Sequence, residues 1–85
     1  MTRVRQAEGA VFGTRLRALR VERGLTQRDV AAVSGLTDAY ISNVENGFAV
    51  PSLTTVLRLA VALGCKVTEL VSVFDETDLP AILPK

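Results

Sequence analysis

Apolar side chains recur at helical spacing along most of this 85-residue chain. In the first such run, Phe12, Leu16 and Leu19 fall at the i, i+4 and i+7 positions of one helical stripe. The pattern as a whole predicts five helices, at about residues 11–23, 27–34, 38–45, 53–63 and 67–72. Because no segment alternates with a period of two for long enough to form a strand, the expected fold class is all-α.

The same pattern predicts helix starts and core positions. Hydroxyl side chains that can accept hydrogen bonds from a first helical turn stand before three helices, at Thr26, Thr37 and Ser52. The apolar positions are Val30, Ala31 and Val33 in the second helix, Ile41 and Val44 in the third, and Leu53, Val56, Leu57, Ala60 and Leu63 in the fourth. Residues 73–85 contain two prolines and are not expected to continue a helix.

Composition narrows the class of protein. Hydrophobic residues make up 48% of the chain and charged residues 22%, as in a folded globular domain. No uninterrupted apolar run is long enough to span a membrane, and the N-terminal residues do not resemble a secretory signal, so a cytoplasmic location is expected. With one cysteine and no histidine, the chain lacks the residues for an internal disulfide, a Cys/His metal site or a Ser-His-Asp triad. We therefore expect a binding module with no cofactor rather than an enzyme.

The charges are divided unevenly along the chain. Residues 1–28 hold seven arginines and two glutamates, a net charge of +5, whereas residues 29–85 carry a net charge of −4. A basic half of this kind suits a polyanionic partner, although arginines on a solvated helix face would produce the same count.

Two short helices are predicted to meet at Ser34-Gly35-Leu36, which is the layout of a helix-turn-helix. In that motif the second helix enters the major groove of DNA and presents its N-terminal residues to the base edges. The layout is a weak signal by itself, because many helical bundles contain a tight turn with glycine.

The run LRALRVERGLTQRDVAAVSGLTDAYISNVENG, followed by PSLTTVLRLAVALG, resembles the Cro/lambda-repressor (XRE) family of helix-turn-helix proteins. The most specific pieces are RVERGLTQ, YISNVENG and the tripeptide at residues 51–53. The resemblance covers about residues 11–72 and implies a five-helix, lambda-repressor-like domain that binds double-stranded operator DNA, usually as a symmetric homodimer, and regulates transcription. It fits phage repressors, antitoxins and restriction–modification controllers equally.

The outward face of the third helix resembles the base-reading positions of that family. Because Ile41 and Val44 are expected to face the core, the residues left outside are Asp38, Ala39, Ser42 and Asn43. An asparagine can pair with adenine through two hydrogen bonds, and alanine can contact the methyl group of thymine. The carboxylate of Asp38 can accept from cytosine or serve the helix N-terminus instead.

Other positions are expected to contact phosphates. By the resemblance they are Gln27, Thr37, Tyr40 and Asn46, with Arg3 and Arg5 in a basic N-terminal arm at residues 1–10. Tyr40 can place its hydroxyl on a phosphate or pack over the first helix. The arm can reach a phosphate or a narrow minor groove, or be a disordered terminus. The resemblance further implies a buried ion pair between Arg20 and Glu45.

The loop Phe48-Ala49-Val50 departs from the family pattern, since relatives often carry lysine or arginine there. An alternative function is therefore a protein-interaction module on the same fold, such as an antitoxin or a regulator adaptor. It would hold a protein partner through Phe48, Val50 and the C-terminal tail at residues 73–85. The apolar side chains of that tail are expected to dock on their own domain or to form a dimer contact.

Overall fold

The computed structural model describes residues 5–84, which hold six α-helices and one 3-10 helix and contain no strand. The elements are α1 (Ala7–Glu22), α2 (Gln27–Ser34), α3 (Asp38–Glu45), α4 (Leu53–Leu63), α5 (Val67–Val71), the 3-10 helix (Ser72–Glu76) and α6 (Leu79–Ile82). The all-α prediction is confirmed, and α1 to α5 are the five predicted helices. Within residues 5–84, none of the helices has the length and apolar character needed to cross a membrane.

The three predicted hydroxyl caps are present. Thr26, Thr37 and Ser52 accept hydrogen bonds from the backbone N–H three residues further on, at 3.0, 3.0 and 3.2 Å. At the start of α2 the arrangement is reciprocal, because Asp29 Oδ2 accepts from the N–H of Thr26 at 2.8 Å. These side chains satisfy N–H groups that have no partner within the helix, and so they set where α2, α3 and α4 begin.

The core lies between α1 and the remaining helices. It is formed by Phe12, Leu16, Leu19, Val30, Ala31, Ile41, Val44, Val56, Leu59, Ala60, Leu63 and Leu70. Helix α1 packs against α3 and α5, and α2 packs against both α3 and α4. This arrangement holds the two helices of the helix-turn-helix against a common support.

Three residues expected to pack are instead exposed, namely Val33, Leu53 and Leu57. The buried positions of α4 are Val56, Leu59, Ala60 and Leu63, at the i, i+3, i+4 and i+7 spacing of one helical face. Eight of the 11 residues of α4 are apolar. Because apolar residues occur on every side of this helix, periodicity could not identify the buried face. We call the exposed residues Val33, Leu53, Leu57 and Val61 the apolar stripe.

The N-terminal boundary also differs from expectation. Helix α1 begins at Ala7 rather than near Val11, and the N–H of Gln6 donates to the carbonyl oxygen of Gly47 at 3.1 Å. The residues just before Val11 are therefore part of the helical domain. Arg5 is exposed, and Arg3 lies outside the described residues.

Residues 73–85 do not continue α5 as an α-helix, but the sequence did not predict that this segment contains part of the 3-10 helix and all of α6. Pro80 lies in the first turn of α6, where a residue without an N–H costs no intrahelical hydrogen bond. Phe74 packs against the core, whereas Leu79 and Leu83 stay exposed. The tail thus docks in part on its own domain.

Helices α1 and α3 approach closely at Gly13. A Cβ atom built there would overlap the carbonyl oxygen of Val44 and lie 2.7 Å from that of Glu45. Both neighbours are backbone atoms, which cannot rotate away as a side chain can. Glycine at this position is therefore what lets the end of α3 lie against α1.

We expect Gly13→Ala to lower the free energy of unfolding by about 2–3 kcal/mol through this overlap, although alanine is the better helix former by about 1 kcal/mol. Urea denaturation followed by circular dichroism measures the change. The control is Thr14→Ala on the exposed side of α1, which should stay within about 0.5 kcal/mol of the wild type. Equal stabilities for the two variants would contradict the close approach.

Candidate nucleic-acid interface

Helices α2 and α3 form a helix-turn-helix around a three-residue connection. Gly35 takes the left-handed conformation with φ +76°, which glycine adopts without strain. The N–H of Leu36 donates to Ser34 Oγ at 3.3 Å, so the side chain that ends α2 also secures the turn. The predicted meeting of two short helices at this point is what the structure contains.

The outward side of α3 brings together the residues expected to read bases. Asp38 and Ala39 are exposed and Ser42 and Asn43 are half-buried, while Ile41 and Val44 point into the core. Asn46 follows on the same side, and its amide nitrogen donates to Ser42 Oγ at 3.4 Å. The result is one polar face that runs the length of the helix and offers both donors and acceptors.

Asp38 serves the start of α3. Its Oδ1 accepts from the N–H of Ala39 at 3.1 Å, and its Oδ2 lies 4.0 Å from Arg28 Nε. A carboxylate is favoured at a helix N-terminus, and the nearby guanidinium offsets part of its charge. This geometry supports the alternative in which Asp38 stabilises the helix rather than reading cytosine.

Two other predicted contacts are engaged within the domain. Thr37 Oγ1 accepts from the N–H of Tyr40 at 3.0 Å and so acts as the cap of α3. Tyr40 is half-buried and packs against the core. A threonine hydroxyl that accepts one hydrogen bond still has a hydrogen to donate, so the cap does not prevent a phosphate contact.

Arg20 and Glu45 form a two-point ion pair between α1 and the end of α3. Arg20 Nε lies 2.6 Å from Glu45 Oε2, and Arg20 Nη2 lies 3.0 Å from Oε1. The glutamate side chain is 2% exposed, and Arg20 Nη1 also donates to the carbonyl oxygen of Leu25 at 2.8 Å. The hydrogen bonds to Glu45 are the main cause that raises the pKa of Arg20. These two residues are structural, as the family resemblance implies.

Gln27, the first residue of α2, belongs to the same network. Its amide nitrogen donates to Glu45 Oε1 at 3.1 Å, an interaction that the sequence did not predict. The amide nitrogen carries two hydrogens, so this bond leaves one with which Gln27 can donate to a phosphate. The buried carboxylate therefore orients a side chain at the N-terminus of α2, where the helix dipole favours anions.

Sequence reasoning counted Arg17 and Arg28 only as charge and assigned them no contact. Arg28 is exposed beside Asp38 at the start of α3. At the other end of α3, Arg5 and Arg17 line an open groove of about 610 Å³ together with Asn46 and the half-buried Phe48. Arginines thus lie at both ends of the polar face. The sequence could have indicated a role for Arg28, because this residue directly follows Gln27. The groove could not be found in this way, because it depends on how α1 crosses α3.

Not all of the basic N-terminal half faces the solvent. Arg20 is paired with Glu45, and Arg23 Nη2 lies 3.4 Å from Glu69 Oε1. Arg15 Nε donates to the carbonyl oxygen of Glu69 at 2.8 Å. These three arginines connect α1 to other parts of the domain, which leaves Arg5, Arg17 and Arg28 as the described arginines of this half that lie beside α3. Within residues 5–84, no group of three or more Cys, Asp or Glu is placed to hold a metal ion.

The helix-turn-helix family matches residues 16–70. The chain is 45% identical over 67 residues to the uncharacterized HTH-type transcriptional regulator y4dJ of Sinorhizobium fredii, covering 79% of this chain and 87% of y4dJ. It is 51% identical over 53 residues to the HTH-type transcriptional repressor RghR of Bacillus subtilis, which is 61% of this chain but only 39% of RghR. The restriction-modification controller protein C.AhdI of Aeromonas hydrophila superposes with a TM-score of 0.73 at 44% identity, over 75% of this chain and 97% of C.AhdI.

Removal of one partner of the buried pair should lower the free energy of unfolding more than removal of both partners. We expect Arg20→Met or Glu45→Leu alone to lower the free energy of unfolding by about 3–5 kcal/mol, since each leaves a buried polar group without its partner. The double variant should recover much of that loss. A double-mutant cycle from urea denaturation measures the coupling, and additive losses would contradict it.

Proposed function

The chain belongs to the Cro/lambda-repressor-like (XRE) helix-turn-helix family of DNA-binding transcriptional regulators, and from this premise we propose that it represses transcription by binding a pseudo-palindromic operator as a homodimer. The observation that carries the proposal is the polar face of α3 with arginines at both ends. The proposal includes a cytoplasmic location and no catalytic activity.

In this proposal α3 lies in the major groove and Asn43 is the main base-reading residue. A half-buried asparagine in the middle of an exposed helix face can present its amide to adenine N6 and N7. Ala39 is exposed one turn earlier, where it can contact a thymine methyl group, and Ser42 can donate to or accept from either type of base pair. Asp38 contributes by stabilising the start of the helix and, where a cytosine is present, by accepting from its amino group.

Phosphate contacts hold α3 in register. Gln27 is oriented by Glu45 at the N-terminus of α2, and the adjacent Arg28 is exposed. At the opposite end of α3, Arg5 and Arg17 can reach the backbone of the same groove together with Asn46. Thr37 and Tyr40 can each add a hydroxyl contact, and Arg3 would extend the contact of the N-terminal segment. Contacts of this type supply most of the affinity and make it dependent on salt.

The expected homodimer follows from energetics. One domain neutralises only a few phosphates, and affinity from so few contacts is low at physiological salt. Two copies related by a two-fold axis read two half-sites about 34–36 Å apart and combine their affinities. The pseudo-palindromic operator is the DNA counterpart of that symmetry.

Repression is the expected direction of regulation because relatives that include RghR are named repressors. The similarity to C.AhdI adds control of a restriction–modification system as a second candidate role. The alternative of a protein-interaction module is not favoured, because the relatives are named as transcriptional regulators. Of the loop that would hold the partner, Ala49 packs against the core and Phe48 is half-buried, whereas Val50 is exposed.

The proposal is tested by selecting bound sequences from random DNA and measuring the affinity of the selected site at several salt concentrations. We expect a two-fold symmetric site. The logarithm of the association constant should fall with the logarithm of salt concentration by about 0.9 for each neutralised phosphate. Recovery of no common sequence, or an affinity that does not change with salt, would contradict the operator-binding function.

Two classes of variant separate base reading from backbone contact. Asn43→Ala should weaken the selected site by about 1–3 kcal/mol and relax the preference at one base pair. Arg28→Ala should weaken all sequences similarly and reduce the salt dependence by about one phosphate. Competition binding with single-base variants of the site measures both effects. If Asn43→Ala keeps the wild-type preference at every position, the base-reading face has been placed wrongly.

A further inference from the structure

The apolar stripe lies outside the residues to which a DNA contact has been assigned. Leu53, Leu57 and Val61 are 73, 45 and 75% exposed and recur every four residues along α4, over about 12 Å of helix. Val33, which is 64% exposed at the end of α2, lines the same shallow depression as Leu57 and Val61. A contiguous apolar surface on a small domain marks a site that another surface covers.

We propose that the apolar stripe is the dimer contact, covered by the same stripe of a second copy of this chain. The proposal rests on the proposed function, which requires a homodimer, and it assigns the surface that forms it. A two-fold contact brings one patch against itself, so the patch must be complementary to its own copy. In an antiparallel pairing of two α4 helices, Leu57 meets its equivalent and Leu53 meets Val61.

The low charge of α4 is compatible with its burial against a second copy. Arg58 is the one charged residue of this helix, and its Nη1 lies 3.4 Å from the carbonyl oxygen of Ser34 in the same chain. The guanidinium is held against the end of α2, and Arg58 and Thr54 line the same depression as Leu57 and Val61. No carboxylate lies on α4, so two copies that meet along the stripe bring together apolar side chains and one arginine from each copy.

The position of the stripe also fits the operator geometry. Helix α2 packs against both α3 and α4, so α4 lies up to two helix spacings, about 16–20 Å, from the axis of α3. A two-fold axis through the stripe then separates the two recognition helices by up to about 32–40 Å. An upper limit of this size leaves room for the 34–36 Å between successive major grooves on one side of DNA.

The size of the stripe predicts a dimer of moderate strength. A standard interface removes about 800 Å² per partner, which is about 15% of the 5456 Å² surface of this chain. Four side chains cover only the centre of such an area. The free dimer should therefore be in equilibrium with monomer, and two half-sites on one DNA molecule should complete it by holding the copies together.

The C-terminal tail is the competing surface. Leu79 and Leu83 are 40 and 50% exposed, but the same segment carries Asp75, Glu76 and Asp78. Two tails brought together across a two-fold axis would place six carboxylates near one another, which opposes association. The stripe brings together only one arginine from each copy, and this smaller charge repulsion favours it over the tail.

The test compares one substitution at two exposed leucines. Leu57→Glu changes the stripe, and the matched control Leu83→Glu changes the tail at similar exposure and with the same charge. Sedimentation equilibrium over a range of concentrations should show that Leu57→Glu raises the dimer dissociation constant at least tenfold, while Leu83→Glu leaves it within about twofold. Val61→Glu should repeat the effect of Leu57→Glu. Circular dichroism and the thermal midpoint check that each variant remains folded.

DNA binding separates this proposal from the proposed function. The selected operator and a single half-site cut from it are the probes. Leu57→Glu should keep the wild-type affinity for the half-site and lose at least tenfold in affinity for the whole operator. A Leu57→Glu protein that dimerises like the wild type, a Leu83→Glu protein that becomes monomeric, or a wild type that is monomeric and binds two half-sites independently would each overturn the stripe as the dimer contact. Salt-dependent half-site binding in those cases would leave the DNA-binding function intact.

Discussion

The arrangement of the first three helices depends on the hydrogen bonds to the buried carboxylate of Glu45. It accepts hydrogen bonds from Arg20 on α1 and from Gln27 on α2, while it belongs to the last turn of α3 itself. A buried carboxylate without partners is strongly unfavourable, so the three helices are stable only in the positions that keep these bonds. Gly13 favours the same arrangement, because the absence of a side chain at this position lets α1 and α3 lie close together.

This rigid connection has a functional consequence. The polar face of α3 lies on a support that already fixes its angle to α2, so in the proposed complex little order would have to be gained when the helix enters a groove. Gln27 shows the link most directly, because the carboxylate that joins the three helices also orients an amide at the N-terminus of α2. Arg28 lies at one end of α3, and Arg5 and Arg17 lie at the other. The structural network therefore also holds a side chain to which the proposal assigns a phosphate contact.

Helix α4 shows where sequence reasoning reached its limit. Its length and ends were predictable from Ser52 and the apolar run, because a cap and an apolar segment are local features. Its buried face was not, because apolar residues surround the helix and only contact with α2 and α5 selects Leu59 over Leu57. The tail was missed for a related reason. Proline disfavours the interior of a helix, yet Pro80 falls in a first turn where proline is tolerated.

The sequence by itself determined the fold class, the positions of α2 and α3, and the residues on the outer side of α3. These depend on periodicity, capping and a turn glycine, all of which act over a few residues. Only the tertiary structure decided what connects distant parts of the chain, namely the bond from Gln27 to Glu45, the groove between Arg17 and Asn46, and the exposure of Leu57. Such contacts depend on the angles and distances at which helices cross, and a one-dimensional pattern of apolar and polar positions carries no record of them.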